Sequence, residues 1–347
     1  WNYVLNIPNK TTLDLEFQTL LEQISSFAVT SIGKEEIQSI SPISDKEEIE
    51  YQLDLVSEYT SSFDNENKIP SHYFDEFLKE IKLLKIENST IEVEGFRKIS
   101  VTNYTVNRLI KFFKKFKRYY PFLFSMCGHI EFDEKPKKKI STVIDNYGNI
   151  LNNASEKLFS VRKEIGIVKS KIGKTFQDAL KYYNSTDYLD DIKESFVDNR
   201  RVLAVKSSNR RKVNGTIIGS SKTGSIVYVA PEETMKYSLE LNNLEFEEKE
   251  EIKRILKELT DFFRPYWSVF VDYIKYLTNL DSVYSRAKHA FSINAVKPNI
   301  SENREIHLYG ANHPLLLKNN QDKDLNTFPQ DILIKDEMRI LVISGPN

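Results

Sequence analysis

The sequence is poor in the residues that would place it outside the cell or in a membrane. Its single cysteine, Cys127, excludes an internal disulfide and is typical of a reducing cytoplasm. It lacks an apolar run of about 18 residues, which excludes a membrane-spanning helix, and it lacks a basic-then-apolar secretion signal at its start. We therefore expect a soluble, cytoplasmic protein. Trp1 is an uncommon first residue, and we expect the natural chain to begin before it.

The residues of a self-contained catalytic or metal site are also scarce. The five histidines are scattered, and one cysteine gives no zinc-ligand spacing. No Gly-x-Ser-x-Gly segment or nucleophile triad is visible. With 49 basic and 50 acidic residues the formal net charge is -1, so any nucleic-acid site must be a local patch. We expect no catalytic residue and no metal ligand in this chain.

Charged residues and helical periodicity are abundant instead. The 347 residues suffice for two or three domains, and the 29% of charged residues is typical of long, exposed helices. Apolar residues at three- and four-residue steps predict two helices within 13–40, the first with an apolar face that includes Leu13, and further helices over 73–86 and 101–118. This part of the chain is therefore predicted to be mainly helical.

Two longer helices are predicted further along the chain. From 151 to 190 one narrow apolar seam is embedded in charged residues, which indicates a coiled-coil arm of roughly 60 Å at 1.5 Å per residue. A return helix is predicted over 238–263, although Glu248 interrupts its seam, and a last helix over 267–291. The outgoing seam consists of Leu158, Val161, Ile165, Val168, Ile172, Phe176 and Leu180.

Between these arms the apolar period changes to two, which predicts strands at 201–206, 213–218 and 225–229. Lys222 to Ser225 is a plausible hairpin turn. The pattern thus places a small β-module at the tip of a helical hairpin. Further strands are expected at 306–308, 332–334 and 339–343.

The β-module carries a basic stretch, 201–222, that contains no Asp or Glu. Such residues could contact nucleic-acid phosphates without reading bases. A solvated hairpin face explains a short charge run equally well, so both interpretations stay open. The candidate residues are Arg201, Lys206, Arg210, Arg211, Lys212 and Lys222.

The last predicted strand runs into Gly345, Pro346 and Asn347, which is how a phosphate-binding loop begins. Taken alone, the same residues are more often a plain β-turn. Phe328 could stack on a nucleotide base, or simply be a loop aromatic. The segment Gly173-Lys174-Thr175 imitates the end of a Walker A motif, but Val168 stands where that motif needs glycine, and the segment lies within the helical seam.

Several blocks, in order along the chain, resemble the bacterial MutS-two family of MutS-related ATPases. They span the chain from Leu15-Glu16-Phe17 to Ile343-Ser344-Gly345-Pro346-Asn347. Between them lie Arg200 to Lys206, Gly215 to Ile218, Ser221 to Ser225, Glu240 to Glu245, Ala287 to Pro298 and Ala311 to Leu316. The combination is specific, although each block alone is not.

The resemblance implies a mainly α fold with a β clamp on a coiled-coil lever and the β-rich beginning of an α/β ATPase domain. It implies a helical core over 1–150, an outgoing lever helix over 151–198, a clamp over 199–235, a return lever over 236–290, and an incomplete ABC-type ATPase domain over 291–347. Gly345, Pro346 and Asn347 match the opening of the family's Walker A loop, and Phe328 falls near the position that packs on adenine.

The function that the resemblance implies is a clamp on nucleic acid, driven by ATP with Mg²⁺ in a homodimer of the intact protein. The substrates would be branched or double-stranded DNA, bound without mismatch recognition to suppress recombination, or collided ribosomes, which are split. A nuclease domain follows in many members of the family. We expect the intact protein to hydrolyse ATP and this chain alone to be inactive. The alternative is a non-enzymatic coiled-coil scaffold whose tip binds a protein.

Overall fold

The computed structural model describes residues 7–338 and 340–342. This part of the chain is mainly α-helical with two small antiparallel sheets, in agreement with the predicted class. It divides into two compact units. Unit 1 contains the residues up to 85, 95–138 and those from 264 onwards, and unit 2 contains 86–94 and 139–263. None of the helices described combines the length and the apolar character needed to cross a membrane.

Unit 1 is a helical bundle with a two-stranded sheet. Its elements are α1 (Asn9–Asp14), α2 (Phe17–Ser25), α3 (Ser31–Gln38), α4 (Lys46–Ser61), α5 (Leu78–Leu84), most of α6 (Val93–Lys115), α7 (Pro121–Met126), the beginning of α8 (Lys135–Ser141), α11 (Trp267–Ser292), α12 (Pro314–Gln321), and the antiparallel pair β5 (Ile306–Ala311) and β6 (Gln330–Ile334). A 3-10 turn, Arg264–Tyr266, precedes α11.

Helix α11 forms the centre of this bundle. Phe270, Tyr273, Leu277 and Leu280 recur at helical spacing, and each is fully excluded from solvent. They allow α11 to pack against α2, α3, α4 and α5. The helix predicted over 267–291 is thus observed at Trp267–Ser292, and its buried face lies in the core of unit 1.

A buried carboxylate lies in the same core. Asp281 of α11 is completely inaccessible and accepts hydrogen bonds from the backbone N–H groups of Val29 and Thr30, at 3.1 and 2.9 Å, and from the Thr30 hydroxyl at 2.6 Å. Nε2 of His72 lies 3.1 Å from Oδ1, the carboxylate oxygen that also accepts from Val29. A side chain at Gly33 would place a Cβ atom 2.2 Å from the Asp281 carboxylate, so the close approach of α3 requires glycine.

Unit 2 combines two long helices with a four-stranded sheet. Its main elements are α9 (Glu156–Asn184), β1 (Leu189–Val197), β2 (Arg200–Lys206), a 3-10 helix (Ser207–Lys212), β3 (Gly215–Ser220), β4 (Ile226–Pro231) and α10 (Glu232–Phe263). All neighbouring strands are antiparallel, in the order β1-β2-β4-β3. The sheet thus lies in sequence between the two helices.

The predicted helices of unit 1 differ from the observed ones at their ends. The helix expected over 101–118 begins at Val93, because Phe96 and Ile99 extend its buried face. The helix expected over 73–86 begins only at Leu78, since burial of Phe74 and Phe77 holds the preceding residues in an extended segment.

The first predicted helix is interrupted in the structure. Glu16 adopts a left-handed conformation (φ 52°) between α1 and α2, so the continuous helix expected from residue 13 is broken there. Leu13, which was assigned to its apolar face, is 71% exposed.

Two further predictions need correction. The outgoing helix expected to reach residue 198 ends at Asn184, because residues 189–197 form strand β1. Of the strand expected over 339–343, residues 340–342 are exposed and outside any strand, and residues 339 and 343 lie outside the described residues. A buried strand needs neighbours to satisfy its backbone, and these three residues have none in the described part of the chain.

Candidate nucleic-acid interface

Helices α9 and α10 are held together along an apolar seam. Val161, Ile165 and Val168 of α9 pack with Leu244 of α10, and Tyr237 adds to the cluster from the same helix. As residue numbers rise along α9 they fall along α10, so the two helices are antiparallel. Burial of this seam stabilises both helices, which have polar residues on their remaining faces.

Polar contacts flank the seam and fix its register. Nε of Arg162 donates to Glu248 at 2.6 Å, which explains how a glutamate can interrupt the apolar pattern of the return helix. Lys169 lies 3.7 Å from Glu245, and the hydroxyl groups of Thr175 and Thr234 are 3.2 Å apart.

A buried glutamate secures the start of α9 to α10. Glu251 is 1% exposed and accepts hydrogen bonds from the Ser155 hydroxyl at 2.7 Å and from Arg254 at 2.6 and 3.0 Å. Ser155 also caps α9 by accepting from the backbone N–H of Leu158. The hydrogen bonds from Arg254, assisted by Ser155, lower the pKa of Glu251 to about 2 against the opposing effect of burial.

The four-stranded sheet rests on the C-terminal half of α9. Phe176 and Tyr183 pack against one sheet face, together with Leu203, Val205 and Val229. The Tyr183 hydroxyl also accepts a hydrogen bond from the backbone N–H of Asn214, at 2.9 Å, just before β3. The basic residues predicted to bind nucleic acid are therefore displayed by a sheet with its own core.

Arg201 does not lie free on this sheet. Its guanidinium donates to Glu194 of β1 at 2.6 Å and is centred 4.4 Å from the ring of Phe176. The ion pair and the cation–π contact together engage the guanidinium charge of Arg201 within unit 2. We therefore correct the prediction that Arg201 is available to phosphate.

Lys206 is also paired. Its Nζ lies 2.9 Å from a carboxylate oxygen of Asp187, and this hydrogen bond raises the pKa of Lys206. Asp190 and Asp191 add to the negative charge around it. The basic stretch that is free of acidic residues in sequence is thus not free of them in space.

The other basic residues remain accessible. Arg210 and Arg211 are exposed in the 3-10 helix, and neither has an ion pair among residues 7–338 and 340–342. Lys212 is exposed and lies 5.1 Å above the ring of Tyr188. Lys222 is exposed in the β3–β4 turn.

The 3-10 helix and the β3–β4 turn lie at one end of the sheet. The backbone N–H of Ser207, which begins the 3-10 helix, donates to the carbonyl of Ser225 at 2.9 Å. Arg201 lies five residues back along β2, roughly 17 Å from this end at 3.3 Å per residue. Four of the six predicted residues therefore form one exposed basic end, which we call the basic tip: Arg210, Arg211, Lys212 and Lys222.

Strand β1, which supplies Glu194, Asp190 and Asp191, was missed by sequence reasoning. Its pairing with β2 shifts register between Leu189 and Glu194, which breaks the period-two pattern that identifies a strand. One signal was present: Asp198 and Asn199 connect β1 to β2, with φ values of 47° and 61°, as a two-residue type I′ turn requires. An Asp-Asn pair before Arg200 could have suggested the hairpin.

The candidate nucleotide-binding residues are only partly described. Phe328 is 79% exposed, two residues before β6. Gly345, Pro346 and Asn347 lie outside the described residues. The Walker-like decoy is helical, as expected: Gly173 lies in α9 and the Thr175 hydroxyl donates to the Lys171 carbonyl at 2.9 Å. Among the described residues, no group of His, Cys, Asp or Glu could hold a metal ion.

The chain is similar over almost its whole length to curated bacterial proteins named Endonuclease MutS2. It is 29% identical over 343 residues to the protein of Ligilactobacillus salivarius and 27% identical over 351 residues to that of Aquifex aeolicus. The protein of Geobacillus sp. is 24% identical over 336 residues. These alignments cover 98%, 97% and 96% of this chain. No protein-family model matches it.

The matches make the chain similar to MutS-related proteins. Within that class its curated relatives are the proteins named MutS2, which agrees with the resemblance to the MutS-two family. The chain spans 42 to 43% of the length of these relatives.

Proposed function

We propose that this chain is the nucleic-acid-gripping portion of a dimeric MutS-related ATPase. In this proposal the antiparallel pair of α9 and α10 is a lever, and the four-stranded sheet of unit 2 is a clamp that contacts phosphates. Mismatch reading plays no part in the grip. The observation that carries the proposal is the basic tip, whose Arg210 and Arg211 have no carboxylate partner among the described residues.

The chemistry of the basic tip favours backbone contacts over base readout. Arginine forks and lysine ammonium groups bind phosphate oxygens, and contacts to phosphate position a protein on nucleic acid without reading its sequence. Binding should therefore depend strongly on salt and weakly on sequence. Duplex DNA, branched DNA and ribosomal RNA share this chemistry.

The proposal is tested by fluorescence anisotropy with a labelled duplex and a labelled four-way junction, at a series of salt concentrations. The triple variant R210A/R211A/K212A should bind both DNAs more weakly. If each residue meets one phosphate, the slope of log affinity against log salt falls by about 0.9 for each phosphate that is no longer neutralised. An unchanged slope would contradict the proposed interaction.

A matched control is offered by α6. Lys114 and Lys115 at its end and Lys117 just beyond it are exposed, and replacing all three with alanine removes the same charge from unit 1. If the two triple variants weakened binding equally, only net charge would matter, and the basic tip would have no special role.

Ribosomes are the second candidate substrate. Co-sedimentation of the chain with purified ribosomes, compared between the wild type and R210A/R211A/K212A, measures whether the same tip is used. Loss of ribosome binding without loss of DNA binding would assign the tip to the ribosome. The reverse result would assign it to DNA.

We further propose that residues 291–347 begin an ATPase domain, which binds ATP with Mg²⁺ in the intact protein and joins two copies. Support comes from the Ser344-Gly345-Pro346-Asn347 segment and from the MutS2 relatives, which are more than twice as long as this chain. ATP hydrolysis by a protein of the relatives' length, absent from the 347-residue chain, is the expected result. ATP hydrolysis by the short chain would contradict it.

A further inference from the structure

Unit 1 contains a groove that the proposed clamp does not use. It has a volume of about 640 Å³ and lies between the α3–α4 connection, α4, α7 and α11. Grooves of about 300–1,000 Å³ are the usual size for small-molecule sites. Its walls combine apolar residues, such as Ile40, Ile43 and Met126, with a few polar ones.

One of the polar residues is a partly buried arginine without an acidic partner. Arg286 of α11 donates from Nη2 to the amide oxygen of Gln52 at 2.9 Å and from Nε to the carbonyl of Ser282 at 3.3 Å. Its Nη1 has no partner among the described residues. Every observed acceptor of this guanidinium is therefore a neutral oxygen.

The carboxylate of Glu48, which acts on Arg286 through space, is engaged elsewhere. Oε1 of Glu48 accepts a hydrogen bond from Nε2 of Gln52 at 2.8 Å. This contact orients Gln52 so that its amide oxygen faces Arg286. Glu48 therefore positions the arginine through Gln52 and leaves the guanidinium fork without an anion of its own.

The charge of Arg286 persists at neutral pH. Burial lowers the pKa of Arg286 to about 10, and Glu48 opposes this effect through space. At pH 7 the group is still protonated. A buried cation with neutral partners is unfavourable, and an anion in the groove would stabilise it.

Further groups of the groove suit an organic ligand. Tyr276 contributes to the lining, although its hydroxyl is itself inaccessible. The hydroxyl groups of Tyr51 and Ser125, also in the lining, are 3.3 Å apart. Lys275 and Arg286 are the two positively charged residues of the lining, and Glu36 is negatively charged. The lining therefore carries a net positive charge.

We propose that this groove binds a small organic anion, whose carboxylate or phosphate group accepts hydrogen bonds from Arg286 and whose apolar part packs on Ile40, Ile43 and Met126. Charge-assisted hydrogen bonds to a guanidinium are short and strong, and its planar fork matches both groups. The site lies within unit 1, so it is independent of the clamp proposed above.

Isothermal titration calorimetry of the 347-residue chain tests this site, with phenyl phosphate, benzoate and inorganic phosphate as probes at one ionic strength set by NaCl and at pH 7.5. Phenyl phosphate or benzoate should bind. R286M should weaken that binding at least tenfold. R118M, which removes an exposed arginine of unit 1 that lies outside the groove lining and outside the basic tip, should leave it unchanged.

A second variant blocks the groove without removing its charge. Ile43 is 41% exposed in the α3–α4 connection, and I43W should fill the space beside Arg286 and abolish binding. Circular dichroism checks that each variant is folded. If R286M does not fold, the loss of binding in I43W is the test of the site.

The outcomes separate cleanly. Binding of only phenyl phosphate or only benzoate identifies the anionic group and sustains the proposal. The proposal would be overturned if neither aromatic probe bound at a concentration on the order of 10 mM, which corresponds to very weak affinity. It would also be overturned if binding survived both R286M and I43W. A third contrary result would be inorganic phosphate that binds as tightly as phenyl phosphate.

Discussion

Nε2 of His72 lies 3.1 Å from Oδ1 of Asp281, in a contact where both side chains are almost completely removed from solvent. The same carboxylate accepts three hydrogen bonds from Val29 and Thr30. Asp281 therefore connects the start of α3, the extended segment at residue 72 and α11. A single charged group thus holds together three distant parts of the chain.

Replacing Asp281 with asparagine should destabilise unit 1 by about 3 kcal/mol, the usual scale for breaking a buried, charge-assisted network. The amide would present a donor where the carboxylate accepts from several donors. Urea unfolding measures the loss. Asp272 on the same helix is exposed, and D272N should change the free energy of unfolding by less than about 0.5 kcal/mol. Equal stability of the two variants would show that the network contributes little.

Gly33 should be intolerant of even one methyl group. In G33A the new Cβ would lie 2.2 Å from the Asp281 carboxylate and 2.8 Å from the Thr30 hydroxyl, so α3 must move and the network must distort. We expect a loss of about 2 kcal/mol or more, as for an overpacked core.

The control for that experiment is a glycine in open space. Gly173 of α9 has nothing within 4 Å of the position a Cβ would take, so G173A should stabilise the chain by about 0.5–1 kcal/mol through helix propensity. Thermal unfolding of both variants measures whether the same change from glycine to alanine lowers stability at position 33 and raises it at position 173. A stabilising G33A would mean that α3 is free to withdraw from α11.

The Glu251 cluster predicts acid sensitivity of unit 2. The pKa of Glu251 is lowered to about 2 in the fold, whereas it is about 4.3 in an unfolded chain. Its contribution to stability is therefore present above a pH of about 4.3 and is lost as the pH falls towards 2. E251Q should unfold more easily at pH 7, by about 1–3 kcal/mol, and lose less stability on acidification.

The neighbouring Glu250 provides the comparison, because its side chain is half exposed and forms an ion pair with Lys253 at the surface. E250Q should retain the neutral-pH stability and the acid sensitivity of the wild type. Urea unfolding at pH 7, 4 and 3 measures both variants. If E251Q were as acid-sensitive as the wild type, other carboxylates would be responsible.

Arg201 should behave as a structural residue. R201M keeps apolar contact with Phe176 but loses the ion pair with Glu194, so we expect a loss of stability of up to about 1 kcal/mol. DNA affinity should change less than twofold, and its salt slope should be unchanged in the anisotropy assay. A slope reduced by about 0.9 relative to the wild type, as for the loss of one phosphate contact, would return Arg201 to the interface.

The long helices were predictable because each buries a regular apolar stripe. Val161, Ile165 and Val168 of α9 are at seam positions in both sequence and structure. Strand β1 was not predictable in the same way, because its register shift removes the alternation by which a strand is recognised. Because β1 was not predicted, the ion pair between Arg201 and Glu194 of that strand was not predicted either.

The Asp281 network was beyond sequence reasoning for another reason. Its partners Thr30 and His72 are 251 and 209 residues away along the chain, and no local periodicity links a buried polar residue to such distant donors. The uncompensated Arg286 was hidden likewise, since an arginine on a helix is ordinarily solvated. Such features emerge only when the packing of unit 1 is known.

The separation between Thr30 and Asp281 also bears on the order of folding during translation. The first helices are synthesised some 250 residues before the hydrogen bonds that fix them can form. The segment 139–263 is complete earlier and carries its own apolar clusters. Unit 2 can therefore fold before α11, on which the helices of unit 1 pack, has been synthesised. Hydrogen-exchange pulse-labelling of nascent chains should find the amides of unit 2 protected first.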